Sequence, residues 1–195
     1  VTFNSFSKAN KIENQQILHI PYRLTHIDGL CWACDVLNSG NQSTTLSLVF
    51  DRDVKNKQLS ILDLTNPLAE IGLLYCRVLL NFLGLRFDKR YNAIVEILNP
   101  GSEDNFSIVK LDLPALTPAD LELAPTGESK DIIKSCIRTL LSINKGVAHF
   151  TDSNSSRSYT QDAQLCGKTV IWLVEEYVYK KLDYPIPPFK VWTGA

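Results

Sequence analysis

Hydrophobic and polar positions along the chain repeat with a mainly helical period. In "PYRLTHIDGLCWACDVL", apolar residues recur at spacings of three and four, which is the pattern of an amphipathic α-helix. The same pattern, with proline and glycine as start and stop signals, predicts a bundle of about five to six helices. The helical segments cover residues 21–37, 67–84, 88–99, 117–123, 129–150 and 161–182.

The second helical segment, "NPLAEIGLLYCRVLLNFLGL", is apolar on nearly every side. Asn66 is a suitable N-cap, Pro67 fits the first helical position and Gly84 fits the stop. A helix that is apolar all round is typical of the centre of a bundle. Arg77 is therefore predicted to be buried and paired, with Glu70 as a candidate carboxylate.

Two short runs around a polar turn predict a β-hairpin. "TTLSLVF" and "QLSILDL" alternate in the manner of strands, and "DRDVKNK" separates them. A lone hairpin is only marginally stable, so it must pack on the helices. The predicted fold is a mainly α bundle with a small β-hairpin near residues 45–64.

Length and composition favour a single globular domain over residues 1–195. A chain of 195 residues can bury a sizeable core, and 45% hydrophobic with 21% charged residues is ordinary for a globular protein. Residues 1–20 are polar with scattered apolar positions, and Pro21 fits the first turn of the helix that follows. We therefore expect residues 1–20 to form a loose N-terminal arm.

The charge and the apolar runs restrict the partners of the protein. The formal net charge is −1, so a site for a polyanion would have to be a local patch. The longest apolar run, residues 71–80, is interrupted by Gly72 and Arg77 and falls short of the roughly 20 residues of a membrane span. The opening "VTFNSFSKAN" lacks the regions of a secretory signal. We expect a cytoplasmic protein that does not interact with membranes.

Five cysteines include the pair in "CWAC", residues 31–34. A thioredoxin-type pair opens a helix after a strand, whereas this pair lies within a helical segment, in register with Leu24, Ile27 and Leu37. Packing in the core is the preferred interpretation, and redox chemistry or a metal site are the alternatives. The sequence contains no second Cys or His pair at zinc spacing, no P-loop and no dinucleotide fingerprint, so we predict neither metal nor cofactor.

The segment of residues 129–150 carries polar residues in an informative arrangement. At about 100° per residue, Arg138, Lys145 and His149 share the face opposite to the apolar one. Asn144 points into the apolar arc and needs a hydrogen-bond partner. Arg77 and Asn81 of the second helical segment could supply one. The two segments would then share a polar network, which is either a structural ion pair with Glu70 or a functional site.

"YCRVLLNFLGL" followed by "INKGVAHFT" resembles the HEPN superfamily. The resemblance covers roughly residues 67–182 and implies a helical bundle, often dimeric, in which a late helix carries Arg, a polar residue and then His. In catalytic members the Arg and His cut RNA without a metal: the His acts as acid or base and the Arg stabilises phosphate charge.

Two positions of this family pattern carry over directly. His149 matches the His and Asn144 matches the polar position. In place of the Arg, the chain has Ile143, Asn144 and Lys145, and a lysine supplies charge without a bidentate fork. Arg138 shares the face of His149 but lies about 16 Å away by helix rise.

These observations give three hypotheses of function. The first is a HEPN-like protein that binds or cleaves RNA, as a toxin or defence component with an antitoxin or another protein partner, and that forms a homodimer. The second is a non-catalytic helical module for interaction or dimerisation, and the third is a thiol oxidoreductase acting through "CWAC". In the first, His149 is acid or base, Asn144 orients the substrate, Lys145 and Arg77 neutralise phosphate, and Asn81 and Arg138 help to bind RNA.

Overall fold

The computed structural model describes residues 4–40, 45–48, 57–99, 107–144 and 157–193. Side chains are described within these ranges except at residues 4–18, 46–48, 57, 58, 129, 144, 157 and 158. The helices are α1 (Asn4–Asn38), α2 (Ile61–Phe82), α3 (Pro118–Glu122), α4 (Ser129–Asn144) and α5 (Arg157–Val174). The strands are β1 (Thr45–Leu48), β2 (Lys57–Ser60), β3 (Leu85–Asp88) and β4 (Ala93–Glu96). A 3-10 turn covers Ile108–Leu111, and a π-helical turn, Glu175–Tyr179, extends α5.

The predicted mainly α fold is confirmed, and its core lies between four of the helices. α1 packs along α2 and against α5, and α4 packs on α5. The buried apolar side chains of these helices form one continuous cluster. Burial of this cluster is the main force that holds the fold together. Among the helices of the described segments, none is long and apolar enough to span a bilayer.

The predicted hairpin near residues 45–64 is present, but its second strand is shorter than expected. β1 pairs antiparallel with β2 in a register that places Thr45 opposite Ser60. Ser60 also caps α2: its hydroxyl accepts a hydrogen bond from the amide of Leu62 at 3.2 Å, and Asp63 accepts one from the amide of Ser60 at 2.9 Å. This capping box starts α2 at Ile61. The predicted start at Pro67 is therefore wrong, and Pro67 lies inside the helix.

The predicted helix over residues 88–99 is wrong, because this segment forms a second hairpin. β3 and β4 pair antiparallel, with Leu85 opposite Glu96. Asn92 occupies the turn with a φ of +47°, a left-handed conformation that asparagine tolerates well. Gly84 ends the preceding helix as predicted, with a φ of +96°. The turn residues in "DKRYN" favour a hairpin here, although the apolar spacing of the segment is also compatible with a helix.

The boundaries of the first and last helices also differ from the prediction. α1 begins at Asn4 and contains Pro21, so the predicted start at Pro21 is wrong and residues 4–20 have helical backbone. α4 confirms the predicted helix up to Asn144, while residues 145–150 lie outside the described residues. The last predicted helix, residues 161–182, corresponds to α5 and the π-helical turn.

Candidate functional site: an apolar surface on α1 and α2

The structure describes only some of the residues of the predicted RNA site. Lys145 and His149 lie outside the described residues, and Asn144 ends α4 with a side chain that is also outside them. The three remaining predicted residues are described, namely Arg77 and Asn81 on α2 and Arg138 on α4. The roles of His149 as acid or base and of Lys145 in neutralising phosphate are therefore still predictions.

Arg138 forms an ion pair with a carboxylate of α5. Its Nε lies 2.5 Å from Oδ2 of Asp162, and a terminal nitrogen lies 2.5 Å from Oδ1. Ser135 donates a further hydrogen bond to Asp162 at 2.7 Å. Hydrogen bonding to Asp162 raises the pKa of Arg138. The charge of Arg138 thus compensates a buried carboxylate, which is a structural role that ties α4 to α5.

The prediction that Arg77 is buried is wrong. Arg77 and Asn81 are both exposed. α2 packs one face against α1 and leaves the opposite face open, although that face carries large apolar side chains: Ile71 is 39% exposed and Leu74 is 46% exposed. The all-round apolar pattern of this helix therefore reflects an apolar surface in addition to a core face.

This surface continues from α2 onto α1. Tyr22 of α1 is 57% exposed, and its ring lies 5.8 Å from the ring of Tyr75 on α2. Ile71 lies three residues before Leu74 and four before Tyr75, so it neighbours both side chains on the surface of the helix. We call the set of Tyr22, Ile71, Leu74 and Tyr75 the α1–α2 patch. Exposed apolar side chains that adjoin in this way are typical of interaction sites.

A histidine lies between the two tyrosine rings of the patch. The imidazole of His26 stacks on Tyr75 with ring centroids 5.4 Å apart, and it meets Tyr22 edge-on at 4.6 Å. The guanidinium of Arg23 lies 5.6 Å from the centre of the Tyr75 ring. Burial lowers the pKa of His26, and its Nδ1 is buried without a hydrogen-bond partner. The neutral imidazole is therefore favoured, which keeps the centre of the patch apolar.

Gly72 allows α1 and α2 to approach closely beneath the patch. A Cβ atom at position 72 would lie 2.4 Å from the Cβ of Leu30 and 2.6 Å from the carbonyl oxygen of His26. Both distances are far inside van der Waals contact. Only glycine therefore permits this crossing, and the crossing sets His26 against Tyr75.

The five cysteines lie in the core as free thiols, which confirms the predicted burial of "CWAC". Burial raises the pKa of Cys31 to about 12 and also raises that of Cys34. Cys76 and Cys136 are hydrogen-bonded to Cys166, and these bonds together with burial raise the pKa of both. Cys31 and Cys34 are therefore poor nucleophiles, which favours packing of "CWAC" over redox chemistry. In contrast, the hydrogen bonds with Cys136 and Cys76 lower the pKa of the buried Cys166. Within the described segments, no group of three or more His, Cys, Asp or Glu side chains could hold a metal ion.

The residues that form these contacts have only weak signals in the sequence. Asp162 was not predicted, although an acid within the apolar register of "YTQDAQLCG" marks a buried carboxylate that needs a partner. The contact of Tyr22 with Tyr75 has no sequence signal, because spacing along the chain does not reveal which rings meet across two helices.

No protein-family model, curated protein or solved structure matches this chain.

Proposed function

We propose that this protein is a non-catalytic helical interaction module that forms a homodimer through the α1–α2 patch. The observation that carries the proposal is the adjoining exposure of Tyr22 at 57%, Ile71 at 39% and Leu74 at 46% on two packed helices. Burial of apolar surface favours association by roughly 25 cal/mol for each Å² removed from water. Tyrosine is also enriched at protein–protein interfaces.

The charges beside the patch favour a second copy of the chain as the partner. Glu70 and Arg77 lie on α2 close to two helical turns apart, with Leu74 between them. In an antiparallel pairing of two α2 helices about a two-fold axis, each Glu70 would lie opposite Arg77 of the partner subunit. An isologous interface requires this kind of self-complementarity.

Leu74→Glu is expected to weaken self-association by roughly tenfold or more, because it places a carboxylate at the centre of the buried surface. Light scattering coupled to size-exclusion chromatography, over a dilution series, measures the change. Leu123→Glu is the matched control: Leu123 is 65% exposed and lies outside the patch, at the end of α3. A wild-type protein that stays monomeric over the whole series would contradict the proposal, as would equal effects of the two variants.

Charge reversal adds a test of the pairing itself. Glu70→Arg and Arg77→Glu should each weaken the dimer, because each places like charges opposite one another. The double variant should restore the dimer, since both cross-pairs are then opposite in sign again. Additive weakening in the double variant would show that the two side chains do not face each other.

Binding or cleavage of RNA is the second candidate function. The observation in its favour is that Arg77 and Asn81 are exposed one helical turn apart, so that one phosphate could reach both side chains. His149 would act as acid or base and Lys145 would neutralise phosphate, as the HEPN resemblance implies. A toxin or defence role with an antitoxin partner belongs to this candidate.

His149→Ala is expected to remove metal-independent RNA cleavage without unfolding the protein, because general acid–base catalysis needs the imidazole. Cleavage of labelled RNAs in EDTA, followed on denaturing gels, gives the readout, and circular dichroism controls for folding. Lys145→Arg should increase the rate of cleavage, because a guanidinium can bind phosphate through two hydrogen bonds at once. RNAs that stay intact with the wild-type protein would rule out cleavage and favour the interaction module.

A further inference from the structure

Asp28 on α1 is an acid in the core that finds its partners in the C-terminal segment. It is 2% exposed. Its Oδ2 accepts hydrogen bonds from the backbone amides of Trp192 at 2.8 Å and Thr193 at 3.3 Å, and its Oδ1 accepts one from the Thr193 hydroxyl. A buried carboxylate needs such donors, because an unpaired buried charge is costly. Two of the three donors are consecutive backbone amides within the bend at residues 191–193, so the carboxylate recognises a bent stretch of chain.

The side chain of Trp192 is seated beside this carboxylate. Its ring lies 5.4 Å from the ring of Trp32, one helical turn after Asp28. A Cβ atom at Gly29 would lie 3.4 Å from the Trp192 ring and 3.2 Å from Leu68, so the glycine leaves room for the indole. Asp28, Gly29, Trp32 and Leu68 thus form a groove, which we call the α1 groove.

The segment that leads into the groove makes few buried contacts with the rest of the protein. Between the π-helical turn and Phe189, residues 183–186 are exposed and form no regular secondary structure. Pro185, Pro187 and Pro188 restrict this segment to extended conformations, which lowers the entropy that docking removes. Phe189 is 2% exposed and is a second anchor. A segment with two anchors and an exposed approach can open locally while the helices stay folded.

We propose that the α1 groove is a recognition site for a bent peptide segment with a tryptophan followed by a hydroxyl residue, and that residues 189–193 occupy it as a releasable strap. Docked, the strap covers the apolar walls of the groove and supplies the donors for Asp28. Released, it leaves a groove that accepts the same peptide chemistry from a separate molecule. The α1 groove uses other residues of α1 than the α1–α2 patch, so this proposal does not depend on homodimerisation.

Amide hydrogen exchange of the full chain, followed by NMR, tests the strap. The Trp192 amide should exchange more slowly than in a free peptide, because it is bonded to Asp28. It should exchange much faster than the amide of Leu173, which is fully buried in the last turn of α5, where the helix continues into the π-helical turn. Exchange of both amides at one rate would show that the strap opens only on global unfolding, and exchange at the free-peptide rate would show that it is not docked. Either result overturns the proposal.

Asp28→Asn should raise the exchange rate of Trp192 by about tenfold or more, because a neutral amide is a weaker acceptor than a carboxylate. The rate at Leu173 should stay the same. Asp131→Asn on the exposed face of α4 is the matched control and should change neither rate. If Asp28→Asn accelerates Trp192 and Leu173 equally, Asp28 acts on global stability and the strap is refuted.

A synthetic peptide with the sequence "FKVWTGA", residues 189–195, tests recognition in trans on the unaltered protein. In excess it should compete for the groove and accelerate exchange at Trp192, while a peptide with alanine in place of the tryptophan should not. Equal effects of the two peptides, or none from either, would refute the recognition site. This arm is independent of whether Asp28→Asn folds.

Discussion

Gly72→Ala is expected to lower the free energy of unfolding by about 3 kcal/mol. Alanine is better than glycine within a helix by about 1 kcal/mol, so a helix in isolation would gain stability. In the folded protein the new methyl group would lie 2.6 Å from the carbonyl oxygen of His26, which belongs to the backbone of α1. A backbone atom cannot rotate away, so α1 and α2 must separate and lose packing along their shared face.

Urea denaturation measures this change as a shift of the midpoint at a constant slope. Gly127→Ala is the matched control: position 127 lies outside the helices, and the nearest atom to a Cβ there would be the flexible end of Leu165 at 3.3 Å. It should change stability by less than about 0.5 kcal/mol. If Gly72→Ala lowers the free energy of unfolding no more than this control, α1 and α2 cross less closely than the structure indicates.

Arg138→Ala is expected to destabilise the protein by about 3 kcal/mol, because it leaves the buried carboxylate of Asp162 without its cation. The value is at the lower end of the range for buried pairs, since the Arg138 side chain is itself 53% exposed and Ser135 remains as a donor. Adding Asp162→Asn to Arg138→Ala should recover much of the loss, because a neutral amide needs no cation.

Arg86→Ala provides a close comparison for Arg138→Ala. The Arg86 side chain is 52% exposed, nearly the same as Arg138, but its contact with Asp88 is 4.0 Å long. Surface pairs of this kind contribute about 0–1 kcal/mol. Equal losses in the two arginine variants, measured by urea denaturation, would show that burial of Asp162 does not set the energy of its pair.

The helix prediction was accurate where a single face of the helix is apolar. It was poor where a local capping contact, and not the proline, sets the start of the helix. α4 follows the expected pattern because its polar and apolar faces separate cleanly. α2 starts earlier than Pro67 because the Ser60 capping box satisfies its first amides, a local contact that a proline rule overlooks. The β3–β4 hairpin was missed because its turn depends on Asn92 in a left-handed conformation, which apolar spacing does not encode.

The candidate site was less predictable than the fold, because burial depends on which helices are neighbours. The polarity of Arg77 was noticed in the sequence, yet its position on an open face followed only from the packing of α1 on the other side of α2. The same holds for Asp28 and Asp162, whose partners lie far away along the chain. Long-range polar pairs leave no periodic signal in one sequence.

The burial of the thiols determines how susceptible this protein is to oxidation by air. Oxidants act on accessible thiolates, whereas in the folded state all five thiols are buried and the pKa of Cys31 is raised to about 12. Unfolding exposes all five cysteines at once, and disulfides that form between them in the unfolded chain then block refolding. Loss of native protein without a reductant is therefore an irreversible process that starts from the unfolded state, even if folding itself is reversible.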